Sequence, residues 1–220
     1  MDTPGHVNFS DEQTAALRIS DGAVIFIDVV EGVMKQTIRS IKHSIENGVP
    51  IVVVMTKMDR LILELKLPPK DSYHKLFGIF KEINDLLTNL KYPAQISPER
   101  GNVCFSSALF GWSFTLDSLS RKYQDRNEGL EAKKFASKLW GNKYFSKGKF
   151  HNTPPNSNSK RSFVEFVLEP LYKIYSVAIS NEPKSETMSL FLENLGITLK
   201  RKELNLDSKP LIKLICAKFF

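Results

Sequence analysis

Cysteine is scarce: the 220-residue chain has only Cys104 and Cys216. Both lie in apolar contexts, NVCFSS and LICAKFF, which excludes a disulfide framework and suits buried thiols in a reducing compartment. No apolar run reaches the roughly 18 residues that a membrane helix needs, so no membrane is expected as a partner. Residues 1–12, MDTPGHVNFSDE, lack the basic stretch and apolar core of a secretory leader, and the expectation is an intracellular chain. There is no internal repeat and no low-complexity tract, which argues against a solenoid. Acidic residues are outnumbered, 24 against 31 basic, for a net charge of +7. That balance fits anionic surroundings such as nucleic acid and equally fits a solvated basic face. Hydrophobic residues make up 42%, enough for the core of one large domain or two small ones.

Short apolar runs alternate with helical patterns. DGAVIFIDVV (residues 21–30) is rich in β-branched residues and reads as a buried strand. VPIVVVMTKMD (49–59) is a second run, and GNVCFSSA (101–108) is a weaker third. Between them, Ser10 is placed to cap a helix through TAALRI, with Asp11 and Glu12 in its first turn. Residues 34–46 put Ile38, Ile41 and Ile45 on one face, with Asn47-Gly48 as the stop. Residues 72–87 are amphipathic through Leu76, Ile79, Ile83 and Leu87. Strands alternating with helices predict an α/β fold with a mostly parallel sheet. Ligands then bind beyond the carboxyl ends of the strands, where Asp28, residues 56–59 and residues 106–108 fall. After about residue 116 the composition turns basic, with Arg121, Lys122, Lys133, Lys134, Lys138, Lys143, Lys147, Lys149 and Lys160 among residues 121–160. TPPNSNSK (153–160) is a polar loop, residues 161–178 have helical spacing with Pro170 as a bend, 187–195 forms a short helix stopped by Gly196, and 210–220 forms a last helix.

Three short stretches stand at the strand ends or before a helix. In Asp2-Thr3-Pro4-Gly5-His6 the aspartate suits a magnesium-bound water, the Gly5 amide suits a terminal phosphate, and His6 suits a water placed for in-line attack. In Thr56-Lys57-Met58-Asp59 the carboxylate matches the two donors on the edge of guanine, which adenine does not offer. The Lys57 stem suits covering base and sugar, and Thr56 suits tying the loop to neighbouring turns. In Ser106-Ser107-Ala108 the alanine amide suits the guanine carbonyl oxygen. Each alone reads equally well as a turn, a solvated strand end or a polar loop. In this order on successive strand ends they point jointly to a guanine-nucleotide GTPase.

DTPGHVNFSDE, TKMDR and SSALFGWSFTL resemble the third, fourth and fifth nucleotide motifs of translational-type GTPases, with Gly5-His6 in the form typical of that class. Within it, LILELKLPPKDSYHKL (61–76), NVCFSS and RSFVEFVLEPLYKI are more similar to the large GTPases of the U5 spliceosomal particle than to eukaryotic elongation factor two. The resemblance covers essentially the whole chain. It implies a P-loop NTPase-type α/β nucleotide domain, incomplete at its N-terminal part, with an inserted subdomain. The implied division is residues 1–116 for the GTPase domain, 117–199 for the insert and 200–220 for the last helical part. It implies GTP or GDP and Mg2+ as cofactors, with Asp2 on the metal side, Gly5 at the phosphate, His6 positioning the attacking water, and Thr56, Lys57, Asp59, Ser107 and Ala108 around guanine. Thr56 departs from the usual asparagine. The resemblance further implies a nuclear protein that controls remodelling in pre-mRNA splicing. Its expected partners are spliceosomal proteins, including an RNA helicase and a large scaffold protein, and the U5 snRNA particle.

No Gly-x-x-x-x-Gly-Lys-Ser/Thr loop occurs in the chain, and no switch threonine precedes Asp2. The expectation is a piece of a longer protein that does not bind GTP tightly alone. Two other readings stay open at this level: an elongation-factor-two-like ribosomal translocase, also a piece, and a non-catalytic interaction module built on the basic insert. The insert has few aromatics paired with basics in an RNA-binding pattern, so its charge suits a solvated or protein-facing surface.

Overall fold

The computed structural model describes residues 1–127, 129–156, 159–179, 186–200 and 202–220, with the side chains of 186–189 outside that description. In chain order the elements are α1 (Ser10–Arg18), β1 (Ala23–Asp28), α2 (Lys35–Glu46), β2 (Ile51–Thr56), α3 (Asp59–Leu63), α4 (Pro69–Asn89), β3 (Val103–Ser107), β4 (Trp112–Phe114), α5 (Leu116–Arg126), α6 (Ala132–Ala136), β5 (Tyr144–Ser146), β6 (Lys149–His151), α7 (Glu169–Ile179), α8 (Glu186–Asn194) and α9 (Ser208–Phe219). The main sheet runs β1-β2-β3-β4, and β5 pairs with β6 as a separate hairpin. β1, β2 and β3 are parallel, with Asp28 opposite Thr56 and Met55 opposite Phe105. β4 joins β3 antiparallel, with Ser107 opposite Trp112. This is the α/β class that the alternating pattern predicts.

The strands bury one face. Ile25, Ile27, Ile51, Val53, Met55, Val103 and Phe105 are buried, and Trp112 and Phe114 continue the face across β4. The alternate residues Val24 and Phe26 are 53% and 67% exposed, and Val52 is 40% exposed. The expectation of a buried first strand therefore holds for one face only: a continuous apolar run looks the same whether one face or both are covered. Burial alternates with period two because successive side chains point to opposite sides of the pleat.

Phe105 is the centre of the covered face. Its ring meets Phe80 of α4, Phe114 of β4, and Trp140 and Phe163 from the segment after residue 116. Tyr73 of α4 packs on Trp140 and donates its hydroxyl to the Gly141 carbonyl at 3.0 Å. Phe114 stacks on Phe220 with centroids 4.1 Å apart. Residues from the basic segment and from the chain's last helix thus belong to the same apolar cluster as the sheet.

Helix α4 buries Leu76, Ile79, Ile83 and Leu87 as its spacing predicts, and starts at Pro69, before the expected residue 72. Proline is favoured in a first turn, where its missing N–H costs nothing. Ser10 does not cap α1. A 3-10 turn over Val7–Phe9 runs directly into the helix, so the capping role moves to His6, whose side chain accepts from the Asn8 N–H. The sequence reading does not anticipate β4, α3, α5 or the β5–β6 hairpin. β4 has three residues, too few to show a period. The hairpin turns on Lys147 and Gly148, both with positive φ, the pairing that suits the twist of a two-residue turn.

Pro170 leaves a clear mark. Residues Val164–Leu168 form a π-helical turn that leads into α7. Proline at 170 has no N–H for the carbonyl four residues earlier, that of Phe166. The Tyr123 hydroxyl from α5 donates to that carbonyl at 2.8 Å. Of the polar loop expected at 153–160, positions 157 and 158 lie outside the described residues. Residues 186–194 are helical and Gly196 follows at φ +66, as the short helix with a glycine stop predicts.

Replacing Tyr123 with phenylalanine removes the hydroxyl that donates to the Phe166 carbonyl and keeps the ring. The expected cost is about 0.5–1.5 kcal/mol, the net contribution of one hydrogen bond to a partly buried carbonyl. Chemical denaturation of the two proteins measures it, and an unchanged midpoint at unchanged slope would contradict this account of the π turn.

Candidate nucleotide site

Three parallel strands end on the same side, and the segments following them meet there. The loop after β2 is tied to the end of β3 by the Met58 amide, which donates to the Ser106 carbonyl at 3.1 Å. It is tied to β1 by Thr56, whose Oγ1 donates to the Ile27 carbonyl at 3.2 Å. Thr56 is the last residue of β2 and Ile27 lies within β1, so this bond runs from strand to strand rather than to the neighbouring turns that the sequence position suggests. Lys57 sits between these ties with φ +58, a left-handed conformation uncommon for a lysine. Asp59 opens α3 and is only 5% exposed.

The Ser107 hydroxyl donates to Asp59 Oδ1 at 2.5 Å and accepts from the Phe110 amide at 3.4 Å. An ionised carboxylate has two oxygens and about four acceptor positions, so one serine bond holds the group in place and leaves acceptor capacity for a donor pair. Ala108 is exposed, and its carbonyl accepts from the Gly111 amide at 3.2 Å. Gly111 makes that turn at φ +64. Thr56, Lys57, Asp59, Ser107 and Ala108 therefore lie at the adjacent ends of β2 and β3 and in the segments that follow them.

A further layer carries no signal in the sequence. Tyr175, buried on α7, accepts from Trp112 Nε1 at 3.1 Å and packs edge-on against Phe110 with centroids 4.9 Å apart. Burial pushes the Tyr175 hydroxyl well above its ordinary pKa, and the nearby charge of Asp59 pushes in the same direction. Sequence distance hides this contact, since nothing local marks a tyrosine 68 residues after Ser107.

Asp28 falls at the strand ends, but its sequence position assigns it no role. It receives Lys57 Nζ at 2.9 Å and an Arg60 nitrogen at 2.6 Å, and its own Oδ1 accepts the Val30 amide at 2.8 Å. Burial raises its pKa, but the Lys57 bond, the Val30 amide and the charges of Lys57 and Arg60 outweigh it and hold the carboxyl below its usual value. Arg60 is held from its other side by Glu64, one helical turn on. The Arg60–Glu64 spacing is a helix-pair signal that is visible in the sequence.

The first motif stands apart. Asp2, Gly5 and His6 are exposed. Asp2, Thr3 and Gly5 line a cavity of about 560 Å³ with Gln13 and Ala16 of α1, residues 23–26 of β1, and Gln36, Thr37 and Ser40 of α2. Lys57, Asp59 and Ser107 do not line it. Among the described residues, buried Gln13 Oε1 and Gln36 Nε2 have no hydrogen-bond partner. A side chain at Gly5 would meet nothing within 4 Å, so the backbone there is open to approach. The His6 Nδ1 accepts from the Asn8 amide at 3.3 Å, which puts the proton of a neutral ring on Nε2 and makes that nitrogen a donor. At the ends of β2 and β3, Asp59 keeps acceptor capacity beyond its bond to Ser107. Among the residues lining this cavity only Asp2 carries a carboxylate, and the described residues contain no cluster of three metal-binding side chains.

The sequence matches the family model of the elongation factor Tu GTP binding domain over residues 1–190. The chain belongs to that family. Its relatives include the pre-mRNA-splicing factor cwf10 of Schizosaccharomyces pombe, 49% identical over 100% of this chain and 23% of that protein. The 110 kDa U5 small nuclear ribonucleoprotein component CLO of Arabidopsis thaliana is 47% identical over 100% of this chain and 23% of that protein. The pre-mRNA-splicing factor SNU114 of Saccharomyces cerevisiae is 41% identical over 97% of this chain and 21% of that protein. The chain spans about a quarter of the length of these curated relatives. Family membership carries a GTPase lineage and an α/β nucleotide-domain fold, in agreement with the parallel sheet.

The lowered Asp28 pKa sets a pH dependence. A carboxyl whose folded pKa lies below its unfolded one stabilises fully above the unfolded value, and the contribution fades as pH falls through the folded one. The thermal midpoint of Asp28→Asn should therefore lie below that of the unchanged protein near pH 6, with the gap closing below about pH 4. A gap independent of pH would show that the charge of Asp28 contributes nothing.

Proposed function

We propose that the chain is the guanine-reading part of a GTP-binding protein of the spliceosome, which uses GTP hydrolysis to control remodelling of ribonucleoprotein particles during pre-mRNA splicing. The observation that carries the reading is the buried Asp59 held by Ser107 at the end of β3, with the loop after β2 joined to that strand through Met58 and Ser106. It occurs in a chain 41–49% identical to proteins named as splicing factors or U5 components. Those names favour splicing over ribosomal translocation and over a purely non-catalytic module. The same reading gives a nuclear location, and spliceosomal proteins as partners, with an RNA helicase and a large scaffold protein among them. It keeps residues 117–199 as an insert in a nucleotide domain made of 1–116 and 200–220.

In this reading Asp59 accepts the paired donors of guanine, the Lys57 stem lies over the base, and Ser107 and Ala108 border it. Gly5 turns its backbone to the terminal phosphate. Magnesium, with Asp2 on its side of the site, would offset phosphate charge. His6 stands next to Gly5 and orients the attacking water. With Nδ1 engaged by the Asn8 amide, a neutral His6 donates through Nε2, so it orients water by donation and, as a cation, stabilises developing negative charge.

The base assignment is tested in the complete protein. Asp59→Asn replaces an acceptor by a donor facing a donor, and xanthine reverses one of those groups. The variant should prefer xanthosine triphosphate to GTP in competition binding. Retained preference for GTP would remove Asp59 from base reading.

The role of His6 has a separate test. His6→Ala should leave GTP affinity nearly unchanged and slow single-turnover hydrolysis about 10²-fold, the scale for losing a positioned acid–base group. Equal rates with the native partners present would confine His6 to its turn.

A further inference from the structure

Asp28 lies outside the three nucleotide motifs, yet it joins three segments near the base-reading loop. Its side chain is 10% exposed and takes the Val30 amide at 2.8 Å, Lys57 Nζ at 2.9 Å and an Arg60 nitrogen at 2.6 Å. Each donor comes from a different place: the turn after β1, the loop after β2, and α3. The carboxylate is itself restrained. The Val30 amide holds Oδ1, while Arg60, pinned on its far side by Glu64, holds Oδ2.

The consequence falls on Lys57. Its backbone is fixed in a left-handed conformation between two loop ties, Thr56 to Ile27 and Met58 to Ser106. Its ammonium is fixed at Asp28. The four-carbon stem between these anchors is unbranched, and the side chain is 56% exposed. A lysine free at its tip samples many rotamers and loses that freedom when a ligand lies against it. One held at both ends has lost it beforehand, and preordering of this kind strengthens binding without a new contact to the ligand.

We propose that Asp28 is a positioning residue for nucleotide binding: it holds the Lys57 ammonium so that the stem stands ready beside Asp59, and by doing so it slows nucleotide release. The proposal rests on the guanine-nucleotide reading above and adds to it a residue that touches no nucleotide.

The test uses the complete protein and a fluorescent GDP analogue, with dissociation followed by stopped flow. Asp28→Asn keeps the volume and an oxygen for the Val30 amide while removing the charge that holds Lys57. Dissociation should become about tenfold faster, and the preference for GTP over xanthosine triphosphate should stay, because Asp59 is intact. Lys57→Met, which keeps an unbranched stem without the ammonium, should accelerate release to a similar extent. In the Lys57→Met background, Asp28→Asn should add less than about twofold, since its target is gone. Full acceleration by Asp28→Asn in both backgrounds would mean that Asp28 acts through the fold, and would overturn the proposal while leaving the nucleotide reading intact. Unchanged release in Lys57→Met would overturn it too, whether or not the Asp28 variant folds. Failure of the unaltered complete protein to bind the analogue would end both readings together.

Discussion

Parallel pairing of three strands is the constraint on which the rest depends. When β1, β2 and β3 run in one direction, their carboxyl ends emerge together, and the register sets Asp28 directly opposite Thr56. The strand ends and the segments that follow them then share one end of the sheet, and short ties there become possible: Thr56 to Ile27, Met58 to Ser106, Ser107 to Asp59. A one-residue slip would exchange the two faces of a strand. It would move Ser107 away from Asp59 and put Phe105 on the exposed side. The apolar alternation that buries Ile27, Met55 and Phe105 therefore also sets the geometry of the site.

Charge at this end of the sheet is arranged by burial. Asp28 is surrounded by donors and kept ionised, with Lys57 and Arg60 drawn towards it. Asp59 is buried more deeply and is met by a neutral hydroxyl instead. One carboxylate is thus engaged by two protein cations and a backbone amide, while the other meets one hydroxyl and retains capacity for an outside donor. This division separates a group that organises the loop from a group suited to reading a ligand.

The basic segment after residue 116 contributes to the interior as well as the surface. Trp140 and Phe163 pack on Phe105, while Tyr175 receives Trp112 behind Ser107. The lysines of this segment, by contrast, are largely solvated, with Lys134 paired to Glu131 and Lys160 to Glu169 in partly exposed contacts. Such exposed pairs contribute little to stability. The segment is held by its aromatics, and its charge faces outward.

Local chemistry makes much of this legible in the amino-acid sequence by itself. The alternation of short β-branched runs with amphipathic helices specifies a parallel α/β sheet, because the two periods are properties of the chain itself. The spacing of Leu76, Ile79, Ile83 and Leu87 marks the buried side of α4 in the same way. Thr56-Lys57-Met58-Asp59 and Ser106-Ser107-Ala108 are recognisable because each is contiguous and follows a strand. What the sequence leaves open depends on contacts between distant residues. It does not show that β1 has only one covered face, that Asp28 gathers Lys57 and Arg60, that Tyr123 pairs the carbonyl left by Pro170, or that His6 rather than Ser10 caps the turn into α1. Those outcomes depend on which side chains the completed packing brings within hydrogen-bond reach, and a linear pattern carries no term for distance in space.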